Sequence, residues 1–336
     1  MKYFRERRQK SGRVFYYFDK RGKPRIEIPL GSDYVVAVRK WTDLMAEKPA
    51  INIATFEQLA KRYEEEEIPT KAASTRSTQK GDLKKLRLFF NNVHGSAPIE
   101  KISPKHIRAL LEKNKGTPTT ANRLKRMFSH MFNKAREWGY TEKENPVAGI
   151  RGFELDGRDV YVTDAVFKAV RDAGDARLQD AMDLAYLTGQ RPGDVLKVTE
   201  DDITDGMIPV RQGKTGARRR IRIEGELAAL LERINARKEK HSPRSAYLVV
   251  NEKGRPLTKQ MLRGSFEKAR VAAAEAHPKM ADAIAAMWFY DLRAKAADDV
   301  ADGHGDQAAA DLLGHTSVTT TRKHYLRRGK TVPPTR

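Results

Sequence analysis

The sequence predicts a multidomain, mainly α chain: a small N-terminal β-sheet-plus-helix module, then a helical bundle, then a mixed α+β domain. Three observations carry this reading. Aromatic and β-branched residues flank a glycine-containing turn within the first 31 residues. Apolar residues recur at three- and four-residue spacing from Phe56 to Trp138, and two short strand patterns interrupt a helical pattern beyond residue 163. A chain of 336 residues exceeds one ordinary core and suits two or three compact domains.

In order along the chain, Arg13 to Phe18 and Arg25 to Gly31 lie either side of Asp19-Lys20-Arg21-Gly22-Lys23 and read as a hairpin. Ser32 or Asp33 then caps a helix over Tyr34 to Met45, whose expected apolar stripe is Val35, Val38, Trp41 and Leu44. Residues 46–54, with Pro49 and no periodicity, read as a linker. Phe56, Leu59, Ala60 and Tyr63 mark the next helix, which ends in Glu64 to Glu67 and Pro69. Residues 70–80 open another helix with Leu83, Leu86 and Phe90 inward.

Ser103-Pro104 is a cap followed by proline at the first helical position, and this helix runs through Leu111. From Thr119 or Thr120 a longer helix turns Leu124, Phe128, Met131, Phe132, Ala135 and Trp138 toward the core, with Lys125, Arg126, Lys134 and Arg136 on its other faces. Residues 55–148 therefore read as a four- or five-helix bundle, left at Asn145-Pro146. Beyond it, Thr163-Asp164 caps a helix and Leu178 to Leu187 forms the next. Met207 to Val210 and Arg219 to Ile223 form a hairpin that carries Lys214 near its turn. Leu227 to Arg237, Thr258 to Ala276 and Ala281 to Ala301 read as helices, with Tyr247 to Val250 a short apolar segment among them.

The formal charge is +21, which points first to a polyanionic partner. Residues 1–50 hold 13 Lys and Arg against 6 acids and residues 51–150 hold 19 against 11, whereas the rest holds 33 against 27, so sequence-independent phosphate contacts are expected mostly in the first 150 residues. With no cysteine, disulfides, zinc fingers and thiol nucleophiles are excluded. The basic start, Lys2 to Lys10, is followed by no apolar run of signal-peptide length, and no stretch approaches a membrane span. The expectation is a cytosolic protein that works on nucleic acid.

Several fragments carry chemistry. Arg191 follows Thr188-Gly189-Gln190 where one helix breaks and another starts, and a half-buried arginine there needs an anion, with Asp194 as a structural alternative. Arg293 follows Tyr290-Asp291-Leu292 in an apolar setting where an unpaired guanidinium is unfavourable. Two planar guanidinium forks suit the non-bridging oxygens of a phosphodiester and the charge that grows on a pentacoordinate phosphorus. Tyr325 stands ten residues after His315; a phenol with an ordinary pKa of about 10 needs a base or a strong positive field before it attacks phosphorus.

Thr188-Gly189-Gln190-Arg191, Gly213-Lys214-Thr215-Gly216, Asp291-Leu292-Arg293, Leu313-Gly314-His315 and Thr319 to Tyr325 together resemble the tyrosine recombinases, or phage-type integrases, and occur in the family's order. The resemblance implies a site-specific DNA recombinase that cleaves and rejoins DNA through a 3′-phosphotyrosyl intermediate, integrating and excising mobile DNA. It implies an arm-type DNA-binding domain at residues 1–50, a helical core-binding domain at 55–148 and the tyrosine-recombinase catalytic domain at 152–336. By the same resemblance Arg191 and Arg293 bind the scissile phosphate, His315 hydrogen-bonds it, Lys214 protonates the departing 5′-hydroxyl and Tyr325 is the nucleophile. No metal or other cofactor is implied. The implied partners are double-stranded DNA at core-type and arm-type sites, three further copies in a tetramer on DNA, a host DNA-bending protein and an excision factor, all in a bacterial host cytoplasm.

Two positions depart from the family's pattern. Tyr290 stands where the family commonly has histidine or lysine, and a phenol is a poor proton acceptor from another phenol. Either His315 or water then takes the proton of Tyr325, or Tyr290 orients the phosphate. The step from His315 to Tyr325 is one residue longer than in many members, and His324 beside the nucleophile is read as a surface residue. Two other functions fit the fragments: a type IB topoisomerase-like nicking and resealing enzyme, and a catalytically impaired DNA-binding protein of the same fold. Residues 326–336 are expected to contact a neighbouring subunit.

Overall fold

A computed structural model describes residues 1–20, 22, 25–45, 54–92, 95–329, 332, 334 and 335. The chain divides into two compact units, Met1–Leu155 and Asp156–Arg336. The expected turn residues Arg21 and Lys23, nearly all of the expected linker and part of the tail lie outside the described residues.

The first unit opens with an antiparallel three-stranded sheet, β1 (Phe4–Arg8), β2 (Val14–Lys20) and β3 (Ile26–Gly31), in that order. The expected hairpin is β2 and β3; β1 is additional. Its sequence, Phe-Arg-Glu-Arg-Arg, has no apolar alternation, and pairing and charge hold it at the edge. Phe4 faces Phe18 across the ladder, Arg5 reaches the buried Asp19 at 3.3 Å and Arg7 meets Glu27 at 2.7 Å. Asp19, expected in the turn, lies inside β2, where the hydrogen bond from Arg25 holds its carboxyl below the ordinary value.

Asp33 caps the helix α1 (Tyr34–Met45) by accepting from the Val36 N–H at 2.9 Å. The inward stripe differs from the expected one. Ala37 is buried, Trp41 and Met45 pack beside it, and Val35 and Leu44 are exposed. A helix lying close over Phe18 and Leu30 accepts a small side chain at its centre, which rotates the two branched residues outward.

The bundle comprises α2 (Phe56–Arg62), α3 (Ala73–Phe90), α4 (Pro104–Lys113) and α5 (Pro118–Glu137), with a two-residue ribbon, β4 (Asn91–Asn92) and β5 (Gly95–Ser96), after α3. Thr55 and Gln58 close a capping box at the start of α2. The helix α5 begins at Pro118, just ahead of the expected threonines, since proline's fixed φ suits the first helical position. Leu124, Phe128, Met131, Phe132 and Ala135 are buried as expected, with Phe128 stacked on Phe90 at 4.9 Å between ring centroids, whereas Trp138 follows the helix and is only partly buried. Two of the four basic residues expected on its outer faces are engaged internally: Lys125 donates to the Ile150 carbonyl and Lys134 pairs with Glu67, leaving Arg126 and Arg136 exposed.

The second unit packs α6 (Asp164–Asp172), α7 (Ala176–Thr188), the short α8 (Pro192–Val195), the antiparallel pair β6 (Met207–Arg211) and β7 (Arg218–Arg222), then α9 (Gly225–Lys238), α10 (Lys259–Ala276), α11 (Ala281–Ala286), α12 (Leu292–Leu313) and α13 (Val318–His324). Its core gathers Leu178, Met182 and Leu184 of α7, Leu230 and Ile234 of α9, and Leu262 and Phe266 of α10. The single helix expected over Ala281 to Ala301 is broken. Met287 and Trp288 are extended, a 3₁₀ turn follows over Phe289–Asp291, and α12 then runs on to Leu313 with an interruption at Gly305.

Asp291 causes the break. Fully buried, it accepts from the Trp288 N–H at 2.8 Å, which draws the chain out of helix, and from Arg158 Nε and Arg327 Nη1, each at 2.7 Å. Arg158 also stacks 3.8 Å from the Trp288 ring centroid. Asp291→Ala would leave Arg327 buried and unpaired, and is expected to destabilise the second unit by about 3–5 kcal/mol. Urea unfolding read at Trp288, with Trp41 and Trp138 replaced by Phe, measures it.

Candidate active site

Four chain reversals converge in the second unit. The helix α7 ends on Gly189 in the left-handed conformation, φ 63°, where a Cβ would lie 2.9 Å from the Leu312 side chain, so the tip of α7 approaches the end of α12 as only glycine allows. Gln190 is buried and donates to the Thr188 and Leu312 carbonyls at 2.8 and 3.2 Å. Beyond the end of β6, the fully buried Gln212 donates through Nε2 to Gln190 Oε1 and the Leu313 carbonyl, both at 2.9 Å. Its Oε1 accepts from Arg191 Nη1 at 2.8 Å. The two glutamines thereby tie three segments together and orient Arg191.

Arg293 stands in the first turn of α12 and is 1% exposed. Nη1 donates to the Gly189 carbonyl at 2.6 Å and Nη2 to the Leu313 carbonyl at 2.5 Å, while Nε has no partner among the described residues. Burial pulls this guanidinium below its ordinary value, and the charge of Arg191 adds to the effect. Among the described residues neither arginine pairs with a carboxylate. Two neighbouring cations without a counter-ion form a site for an anion.

The helix α12 ends at Gly314, φ 68°, and His315 follows. Its Nδ1 lies 2.8 Å from Thr321 Oγ1, and its ring centroid is 4.9 Å from that of Tyr325. Burial, then the charges of Arg293 and Arg191, pull His315 down to about 4, so the ring is neutral at pH 7. Tyr325 follows α13, its N–H donating to the Thr321 carbonyl at 2.8 Å. The phenol is 8% exposed, with the Arg293 guanidinium carbon 5.4 Å from its ring centroid and the Tyr290 hydroxyl 2.7 Å from its own.

The two phenols are pushed apart. Burial raises both, but at Tyr325 the hydrogen bond from Tyr290 together with Arg293 and Arg191 outweighs burial and holds the phenol below its ordinary value. Tyr290 is held above it, by burial first and then by Tyr325. The two hydroxyls share one hydrogen bond, so whichever phenol gives up its proton receives the other's.

The structure thus brings Arg191, Tyr290, Arg293, His315 and Tyr325 together. Lys214 stands apart, exposed in the β6–β7 turn and without a hydrogen bond or ion pair among the described residues. Asp194 is not the partner of Arg191; it accepts from the Gly213 N–H at 3.0 Å. His324 is exposed. Sequence reasoning missed the roles of Gln190, Gln212 and Thr321. Gln190 lies within Thr188 to Arg191 and Gln212 just before Gly213 to Gly216, but a neutral amide signals nothing until its partners are known. The start of the expected intersubunit tail is held within its own chain: Arg327 by Asp291, and Arg328 by Asp299 and Asp302.

Residues 162–331 match the sequence model of the phage integrase family, and residues 56–152 match that of the phage integrase central domain. The integrase of Enterobacteria phage 434 is 28% identical over 246 residues, and that of Escherichia phage HK022 is 27% identical over 245. These matches cover 70% and 69% of this chain, and span 66% of each relative's length. Among solved structures, a lambda integrase dimer bound to a COC′ core site superimposes with a TM-score of 0.72 at 22% identity, covering 98% of this chain and 97% of that one. A lambda integrase tetramer bound to a Holliday junction gives 0.71 at 22% identity and the same coverage. The Tn1549 transposon integrase with transposon right-end DNA gives 0.66 at 18% identity, covering 83% of this chain and 96% of that one. The structural likenesses show a shared fold. With the family match over half the chain and the arginine, histidine and tyrosine cluster in one unit, the chain belongs to the phage integrase family.

Proposed function

We propose that this protein is a site-specific tyrosine recombinase that breaks and rejoins DNA through Tyr325. The observation that carries this is the buried Tyr325 phenol, packed against His315 and Arg293, with Arg293 and Arg191 both lacking carboxylate partners among the described residues. Arg191 and Arg293 bind the non-bridging oxygens of one phosphodiester, and His315 adds a hydrogen bond. The Tyr325 oxygen attacks phosphorus, the P–O5′ bond breaks, and a 3′-phosphotyrosyl ester keeps the bond energy for religation. Lys214, on its exposed turn, is the donor to the departing 5′-oxygen once DNA is bound. Tyr290 donates to the Tyr325 oxygen and stabilises its phenolate, a role that a donor fills and a base does not.

Residues 1–50 are read as the arm-type and 55–148 as the core-type DNA-binding domain, with 152–336 catalytic. The solved lambda integrase dimer and tetramer on DNA support binding to double-stranded DNA and assembly to a tetramer there. A host DNA-bending protein and an excision factor are the further partners expected, in a bacterial cytoplasm. Among the described residues no helix is long and apolar enough to cross a membrane.

A nicked suicide substrate is expected to trap a covalent adduct that Tyr325→Phe abolishes. DNA binding with no adduct from the unaltered chain would leave a binding protein only. Gln212→Ala frees Arg191 from its orienting bond and is expected to slow adduct formation about tenfold to a hundredfold, the scale of one bond to a charged group, with DNA affinity little changed. In footprints, the full chain should protect two separated classes of site, and a chain lacking residues 1–45 only one.

A further inference from the structure

We propose that Thr321 is a positioning residue that holds His315 as the tautomer with its proton on Nε2, so that the ring meets the phosphate as a hydrogen-bond donor and not as a base. The inference rests on the reading of the site given above and narrows it, because it removes His315 from the groups able to take the proton of Tyr325.

The argument is a count of protons. Thr321 is fully buried, and its hydroxyl has His315 Nδ1, 2.8 Å away, as its single hydrogen-bond partner among the described residues. A threonine inside a helix commonly turns its hydroxyl back to the carbonyl four residues earlier. Here that is the Ser317 carbonyl, which accepts from the Thr320 N–H at 3.1 Å, and Thr321 Oγ1 makes no bond to it. If Nδ1 carried the ring proton, the Thr321 O–H would be a buried donor with no acceptor. If the Thr321 O–H donates to Nδ1, every buried donor of the pair is used and the proton of the neutral ring sits on Nε2. An unmet buried donor is the unfavourable alternative, so the second arrangement holds. The positive groups around the ring, Arg293, Arg191, His324 and Arg219, oppose a second ring proton.

Thr321 also holds the nucleophile, since its carbonyl accepts from the N–H of Tyr325 at 2.8 Å and of Leu326 at 3.2 Å. One buried residue thus sets the proton of the histidine through its side chain and the place of the tyrosine through its backbone. With Nε2 already protonated, the proton of Tyr325 leaves to water while the Tyr290 hydroxyl steadies the phenolate.

The test uses the full chain with nitrogen-15 histidine and no DNA, His315 being assigned by loss of its signals in His315→Gln. Nitrogen shifts distinguish the tautomers, and the expected result is a protonated Nε2 and an unprotonated Nδ1 in the unaltered chain and in Thr321→Ser. In Thr321→Val, which keeps the shape and the backbone bond, the two tautomers should mix. Adduct formation should fall about tenfold to a hundredfold while DNA affinity holds, and Thr321→Ser should restore it. A protonated Nδ1 in the unaltered chain, or a Thr321→Val protein that cleaves at the unaltered rate, would overturn the proposal. The spectrum of the unaltered chain decides the matter even if Thr321→Val does not fold. Absence of any adduct at Tyr325 would instead sink the reading of the site and leave the tautomer result standing.

Discussion

The buried guanidinium of Arg293 is the constraint around which the second unit is arranged. Taking a cation out of water is unfavourable by several kcal/mol even after relaxation, and here no carboxylate among the described residues offsets it. Two backbone carbonyls do part of the work, at Gly189 and Leu313, which are the ends of α7 and α12. Both helices must therefore finish at that point, and a left-handed glycine closes each of them. Gln190 and Gln212 fill the remaining polar positions between the same ends. The residual field reaches the paired phenols of Tyr290 and Tyr325.

Much of this was legible in the sequence because periodic burial and cap chemistry are local. The α5 stripe, the apolar spacing of α2, the proline-led start of α4 and the β6–β7 hairpin all depend on residues within one or two turns of each other. The errors arose where a distant partner decides. β1 is a charged segment that becomes a strand because β2 and the carboxylates of Asp19 and Glu27 lie beside it. The break before α12 is made by Asp291, whose arginine partners lie 133 and 36 residues away. In α1 the helix was foreseen but its inward face was not, because closeness to the sheet selected Ala37 over the larger Val35 and Leu44.

The site shows the same division. Charged and phenolic groups announce themselves by type and order, so Arg191, Arg293, His315 and Tyr325 could be named before any geometry was known. The residues that orient them could not. Gln212 and Thr321 are neutral, and their importance lies in which lone pair or proton they present to a neighbour. Tyr290 is intermediate: its identity raised a question, and its 2.7 Å bond to the Tyr325 hydroxyl gives it a place in the site.

Under the function proposed above, the anchoring on both sides of Tyr325 bears on the motion of strand exchange. Its N–H is held by Thr321, and two residues later Arg327 is bound through its side chain to Asp291 and through its N–H to Asp298. A 3′ end esterified to this tyrosine would be fastened to the folded body of the protein, with little swivel available at the joint. The strand carrying the free 5′-hydroxyl would then do the travelling, and the cleaved 3′ end would wait as a fixed berth to which a new 5′ end is brought.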